Sequence, residues 1–131
     1  MEYLYERLIS LETAKLAKEK GFNIPVLDCI NENEEIGDKE DFVLFNYNQF
    51  LSEKWSTQNL YSCPSQGLLQ RWLREKHELF VFVNYRSFGV EKCNGWYYHI
   101  GKSPDHYSSD QFKTYEEAME EGLIEGLKQI Q

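Results

Sequence analysis

A chain of 131 residues fits one domain, 1–131, and can bury an ordinary apolar core without a metal or disulfide staple. Its formal charge of −8 argues against a general nucleic-acid binder, because phosphate contacts need lysine and arginine. Three widely spaced cysteines, Cys29, Cys63 and Cys93, with no Cys-x-x-Cys pair, fit neither a disulfide framework nor a zinc site.

Residues 1–10 carry Glu2, Glu6 and Arg7 and lack the apolar stretch of a signal peptide. No run approaches 18 apolar residues, so no transmembrane helix and no membrane association are expected. A reduced, cytoplasmic setting is the natural expectation. Aromatics make up 15% of the chain, enough to build a core from few positions and to leave some rings at the surface.

Ser10 to Gly21 reads as a complete first helix. Ser10 can cap the free N–H groups, Glu12 complements the positive end and Lys18 and Lys20 the negative end, and Gly21 can take the left-handed conformation that ends it. Leu11, Ala14, Leu16 and Ala17 form its apolar side, and Phe22 can fold back on it. Residues 1–9 fit either an extension of this helix or a separate short element. Pro25 blocks helix continuation, and Val26 to Ile30 reads as a short strand. The acidic run at about 31–41 contains Gly37 and little to bury, so it is expected to be a loop. Phe42 to Tyr47 reads as a strand from its aromatic and β-branched content. Residues 48–62 lack periodicity and read mostly as loop, with Phe50, Leu51, Trp55 and Leu60 as anchors.

Pro64 to His77 is the second helix. Leu68, Leu69, Trp72 and Leu73 share a face, while Gln66, Gln70, Arg71 and Arg74 lie on or near the other. Ser65 is the expected cap, with Ser62 before Pro64 as the alternative. Leu79 to Tyr85 is the strongest strand signal, apolar on both faces and therefore expected centrally in the sheet. Trp96 to Ile100 is its antiparallel partner across a long connection; Trp96, Tyr98 and Ile100 share one face, Tyr97 and His99 the other. Gly101 to Gln111 reads as loop. Thr114-Tyr115-Glu116-Glu117 opens a final helix as a capping box, followed at helical spacing by Ala118, Met119, Leu123, Leu127 and Ile130. Gly122 and Gly126, four apart, can admit a close neighbour. The expected fold is α+β: a small, mostly antiparallel sheet of three to four strands with about three helices packed on one face.

Charge is unevenly spread. Six acids and one base at 32–41 leave −5, six acids and two bases at 110–131 leave −4, and the remainder of the chain carries +1. Arg71, Arg74 and Lys76 are therefore the best members of a local basic patch. His77, His99 and His106 show no metal-ligand spacing, and no phosphate-binding glycine loop or nucleophile elbow occurs. Cys63, near a helix start that would lower a thiol pKa, can pair with His77 or His99 in a remote thiol- or histidine-dependent enzyme. The glutamates of the last helix read as a solvated face. No catalytic residue, metal or cofactor is expected. The aromatics of the two strong strands read as core rather than as base-stacking platforms.

The segments Ser10–Phe22 and Pro64–His77 resemble a group of small phage- and prophage-encoded proteins of gut bacteria. The pattern continues with the strand after His77, the Trp-Tyr strand and the Thr-Tyr-Glu-Glu-Ala helix at 114–118, and so covers most of the chain outside 31–62. The resemblance implies a mobile-element setting and assigns no activity, cofactor or catalytic residue.

These observations lead to an expectation of a non-enzymatic accessory protein whose partner is another protein, of basic host or phage type, met by charge complementarity. The alternative is a nucleic-acid-associated module using the basic helix face. Candidate binding residues are Gln70, Arg71 and Arg74 on the helix and Tyr97 and His99 on the hairpin.

Overall fold

The computed structural model describes residues 7–38, 44–49, 60–87, 94–101 and 110–131. The chain is α+β. Among the described residues it forms helices α1 (Leu11–Glu19), α2 (Gln66–His77) and α3 (Tyr115–Lys128) and strands β1 (Asp28–Ile30), β2 (Ile36–Asp38), β3 (Tyr61–Ser62), β4 (Val81–Arg86) and β5 (Gly95–Ile100). Every strand pair is antiparallel, as expected, but the strands divide between two sheets, ordered β2-β1-β3 and β4-β5. The chain also gathers into two compact units, Met1–Gly67 and Leu68–Gln131.

In the first unit Ser10 caps α1 as its sequence foretold, its hydroxyl accepting from the Thr13 amide at 3.3 Å. Gly21, at φ +93°, reverses the chain so that the Phe22 amide reaches the Ala17 carbonyl at 2.9 Å. Phe22 is thereby buried beside Thr13, Ala14 and Ala17 in the unit's core. Residues 7–9 do not extend the helix: Leu8 bridges antiparallel to Ser65, and the Ile9 amide donates to the Pro64 carbonyl. Residues 1–6 lie outside the described residues, as do Phe50, Leu51 and Trp55.

Three expectations in this unit change. The acidic run is not all loop, because Ile36–Asp38 pairs with β1 as a short strand. A ladder needs backbone groups and not burial, so a charged segment with little apolar content can still form one. The turn into it is built by Asn31, whose side-chain oxygen accepts from the amides of Asn33 at 2.9 Å and Glu35 at 3.0 Å, with Glu34 at φ +64°. Within 48–62, Tyr61–Ser62 forms β3 against β1. Of the strand expected at 42–47, Phe42 and Val43 lie outside the described residues; Phe45 makes an isolated bridge to Val26 and Tyr47 is in a turn. Side-chain bonds replace a longer ladder there. The Tyr47 amide donates to the Ser62 hydroxyl, the Tyr47 hydroxyl to the Leu27 carbonyl, and the Asn48 amide group to the Phe22 carbonyl.

In the second unit α3 lies across one face of the β4–β5 ribbon. Thr114 caps it, accepting from the Glu117 amide at 3.1 Å. Its two interior glycines have a steric purpose: a Cβ on Gly122 would stand 2.9 Å from Val81 Cγ1 and 3.0 Å from Tyr98 Cβ, and one on Gly126 would stand 3.1 Å from Val81 Cγ2. The helix backbone therefore rests close on Val81 and Tyr98, and Met119, Leu123 and Leu127 are fully buried with it. Leu69, Trp72 and Leu73 supply the buried side of α2, as their spacing required, while Leu68 of the same expected face is half-buried and Gln66, expected on or near the other side, is buried at the start of the helix. That helix ends on Glu78 at φ +54°, with the Leu79 amide donating to the Leu73 carbonyl at 3.0 Å.

The strand expected at the centre of a sheet is one of a pair. β4 starts at Val81, and only Val81 is fully covered; Phe82 and Tyr85 are 40% and 55% exposed. One helix covers one face, and the aromatic content that reads as two-sided burial here supplies a surface. Residues 88–93 of the connection, with Gly89 and Cys93, lie outside the described residues.

Candidate interaction surfaces

The pairing register sorts the hairpin's side chains. Val81 with Ile100, Val83 with Tyr98 and Tyr85 with Trp96 share the face under α3. Phe82 with His99, Asn84 with Tyr97 and Arg86 with Gly95 share the opposite face. Sequence reading placed Tyr97 and His99 together on that second face, and the register agrees.

On it, Phe82 stands between Phe80 and His99, with ring centroids at 6.3 and 5.0 Å and planes within 12° and 24° of parallel. His99 is only 6% exposed. Burial pushes its pKa below the usual imidazole value. The Asn84 amide nitrogen lies 3.1 Å from Nε2 and can only donate, so this arrangement suits a neutral ring with its proton on Nδ1. The Tyr97 hydroxyl donates to Gln111 at 3.2 Å. His99 is thus a held part of the sheet, and the exposed part of the face is Phe82 and Asn84.

The three helix candidates separate. Gln70 donates its amide to the Val81 carbonyl at 2.7 Å, so that side chain ties α2 to β4. Arg71 is exposed and pairs with Glu75 at 3.0 Å, four residues along the helix. Arg74 and Lys76 are also exposed. An exposed pair of this kind adds little stability.

In the first unit, α1 and β3 bring charge and an aromatic ring together. Tyr61 donates its hydroxyl to Glu32 at 2.6 Å, and Lys15 pairs with the same carboxylate. The Lys18 ammonium lies 5.0 Å from the Tyr61 ring centroid. The Lys15 contact, then the Tyr61 hydroxyl, hold the Glu32 carboxyl below its ordinary pKa; the same bond to Glu32 raises the Tyr61 phenol. Beyond Glu32 the turn and β2 present Glu34, Glu35 and Ile36 to solvent. No sequence period announces this grouping, since Lys15, Glu32 and Tyr61 lie on three separate elements. The hairpin face was more accessible: strict alternation along Val81–Arg86 puts Phe82, Asn84 and Arg86 on one side.

Cys63, the remote nucleophile, is buried, and its thiol donates to the Ile9 carbonyl at 3.3 Å. That environment fits a small packed hydrophobe. His77 sets its ring edge-on to Trp72 at 4.7 Å. His106 lies outside the described residues. Among the described residues no three His, Cys, Asp or Glu side chains converge to hold a metal, and no helix is long and apolar enough to cross a membrane. No protein-family model, curated protein or solved structure matches the chain.

Proposed function

We propose that this chain is a non-enzymatic accessory protein, of phage or other mobile-element origin, that acts in the cytoplasm by contact with a basic host or phage protein. The observation that carries the reading is the acidic turn and strand at 32–38, which projects Glu34 and Glu35 into solvent from a fixed backbone. Fixed charges of one sign steer a partner of the other and select against like-charged ones. The resemblance of the two helical segments to phage-encoded proteins supports the setting, and the buried Cys29 and Cys63, neither of them in a disulfide, suit a reducing compartment.

The test is a tagged pull-down from bacterial host lysate, with and without nuclease, read by mass spectrometry. A specific basic protein retained after nuclease, and lost when Glu34 and Glu35 are both changed to Lys, is expected. Retention that ignores this charge reversal would overturn the reading.

A second reading rests on the exposed Phe82 ring stacked on His99, with Arg86 on the same face. A base can extend this row of stacked rings from its exposed side, and an arginine farther along the same strand face can meet a phosphate. This nucleic-acid module predicts a mobility shift with single-stranded oligonucleotides at low salt that Phe82→Ala removes. No shift at low salt would dispose of it.

A further inference from the structure

We infer that the outer edge of β2 is a docking edge for an extended, basic peptide segment of the partner, which adds to the β2-β1-β3 sheet as a further strand. The inference rests on the protein-contact reading above and specifies where and how the contact is made.

The edge follows from the register. The Asn31 backbone amide donates to the Glu35 carbonyl at 3.1 Å, so Asn31 with Glu35 is a hydrogen-bonded pair, and the next such pair is Cys29 with Gly37. Ile36 and Asp38, opposite Ile30 and Asp28, fall between them. Their N–H and C=O groups therefore point away from β1. Among the described residues β1 is the sole strand neighbour of β2, so these backbone groups form a row at the sheet's edge. An incoming strand meets such a row with main-chain hydrogen bonds, and side-chain chemistry then sets which strand is accepted.

Two features define that chemistry. Ile36 lies on the same face as the buried Ile30 yet is 54% exposed, so the apolar face of the sheet continues past its covered part and stops at the edge. An added strand with apolar residues at alternate positions would cover it. Immediately before it, Glu34 and Glu35 are exposed, Glu35 accepting a hydrogen bond from the neutral Asn31 side-chain amide at 3.3 Å, while the third acid of the turn, Glu32, is paired with the Lys15 cation and bonded by Tyr61. The same acids select the occupant. Two copies of this edge would bring like charges together, which opposes self-pairing, whereas lysine or arginine on the incoming strand would be attracted. The occupant is thus an extended segment alternating basic and apolar residues.

The probe is a short synthetic peptide alternating lysine and valine, titrated into the full chain and followed by amide hydrogen exchange. Binding should slow exchange at Ile36 and Asp38, with Gly37 changing little because it already bonds to β1. Affinity should fall about tenfold or more from low to high salt, since the attraction is between exposed charges. Ile36→Pro removes one outward N–H while leaving the bonds to β1, a substitution that edge strands accept, and should abolish binding; Ile36→Val should retain it. Glu34→Lys with Glu35→Lys should weaken it similarly. Binding with no protection at Ile36 and Asp38, equal binding of a glutamate–valine peptide, or a copy-to-copy association lost in Ile36→Pro would each overturn the inference. A lysate partner captured equally by wild type and Ile36→Pro would also sink it, yet leave the protein-contact function standing.

Discussion

The two hairpins among the described residues are built on opposite principles. The β4–β5 ribbon pairs six residues with six, is rich in aromatics, and is covered on one face by a helix that glycine lets approach. The β1–β2 hairpin pairs three with three, carries charge, and is closed by one asparagine side chain. The first is specified by side-chain packing across elements distant in sequence. The second is specified by backbone bonding and local turn chemistry. Charge follows the same division: the first unit has twelve acids against six bases, the second ten against eight.

That contrast breaks most clearly under core truncation. Leu123→Ala, in the fully buried centre of α3, should cost about 2–5 kcal/mol in urea unfolding, whereas Ile36→Ala on the exposed edge should stay within about 0.5 kcal/mol. Comparable losses at both positions would show that the edge residue is packed after all.

Glycine substitution sharpens the same point. Gly122→Ala gains roughly 1 kcal/mol of helix propensity but forces a methyl against Val81 and the Tyr98 Cβ, which cannot swing aside, at a cost of about 1–3 kcal/mol. A net loss near 1 kcal/mol is expected. Gly126→Ala, with its nearest contact at 3.1 Å, should be about neutral by the same balance. Stabilisation by both alanines would mean that the helix does not lie this close to the ribbon.

The first-unit hairpin should respond to its turn. Asn31→Ala removes three side-chain hydrogen bonds, two accepted from exposed amides and one donated to Glu35, and should lower protection of the β2 amides by about 1 kcal/mol of local opening. The β4–β5 amides should be untouched. Loss of protection in both hairpins at once would refute the separation of the two.

The smallest expected effect is one of pH. Burial favours neutral His99, so its folded pKa lies below the unfolded value of about 6.5. The unfolded chain then binds more protons between those two values. The stabilising contribution is complete above the unfolded pKa and is lost as pH falls from there towards the folded one. His99→Leu should flatten this part of the stability profile relative to wild type. An unchanged slope would show that His99 does not titrate differently on folding.

Much of this was legible in the chain. Ser10, Gly21 and Thr114 marked helix ends through groups that act within one turn, and Leu69, Trp72 and Leu73 declared the buried side of α2 by period alone. The face shared by Tyr97 and His99 also followed from the alternation of a strand. What escaped were features that carry no periodic or burial signal of their own. Ile36–Asp38 carries no burial signal, so its pairing with β1 is visible only once both are placed. Gln70 looked like part of a polar helix face until its amide met the Val81 carbonyl.

The sequence by itself determined the α+β class, the helix boundaries, the acidic balance and the pairing partner of the strongest strand, because capping, periodicity and charge are local or additive. Only the tertiary structure decided that the strands split into two sheets and that Phe82 and Tyr85 face solvent. It alone decided that Lys15, Glu32 and Tyr61 meet and that an acidic segment offers a strand edge. Those outcomes depend on which surfaces another element covers, and coverage is a property of the assembled chain rather than of any stretch of it.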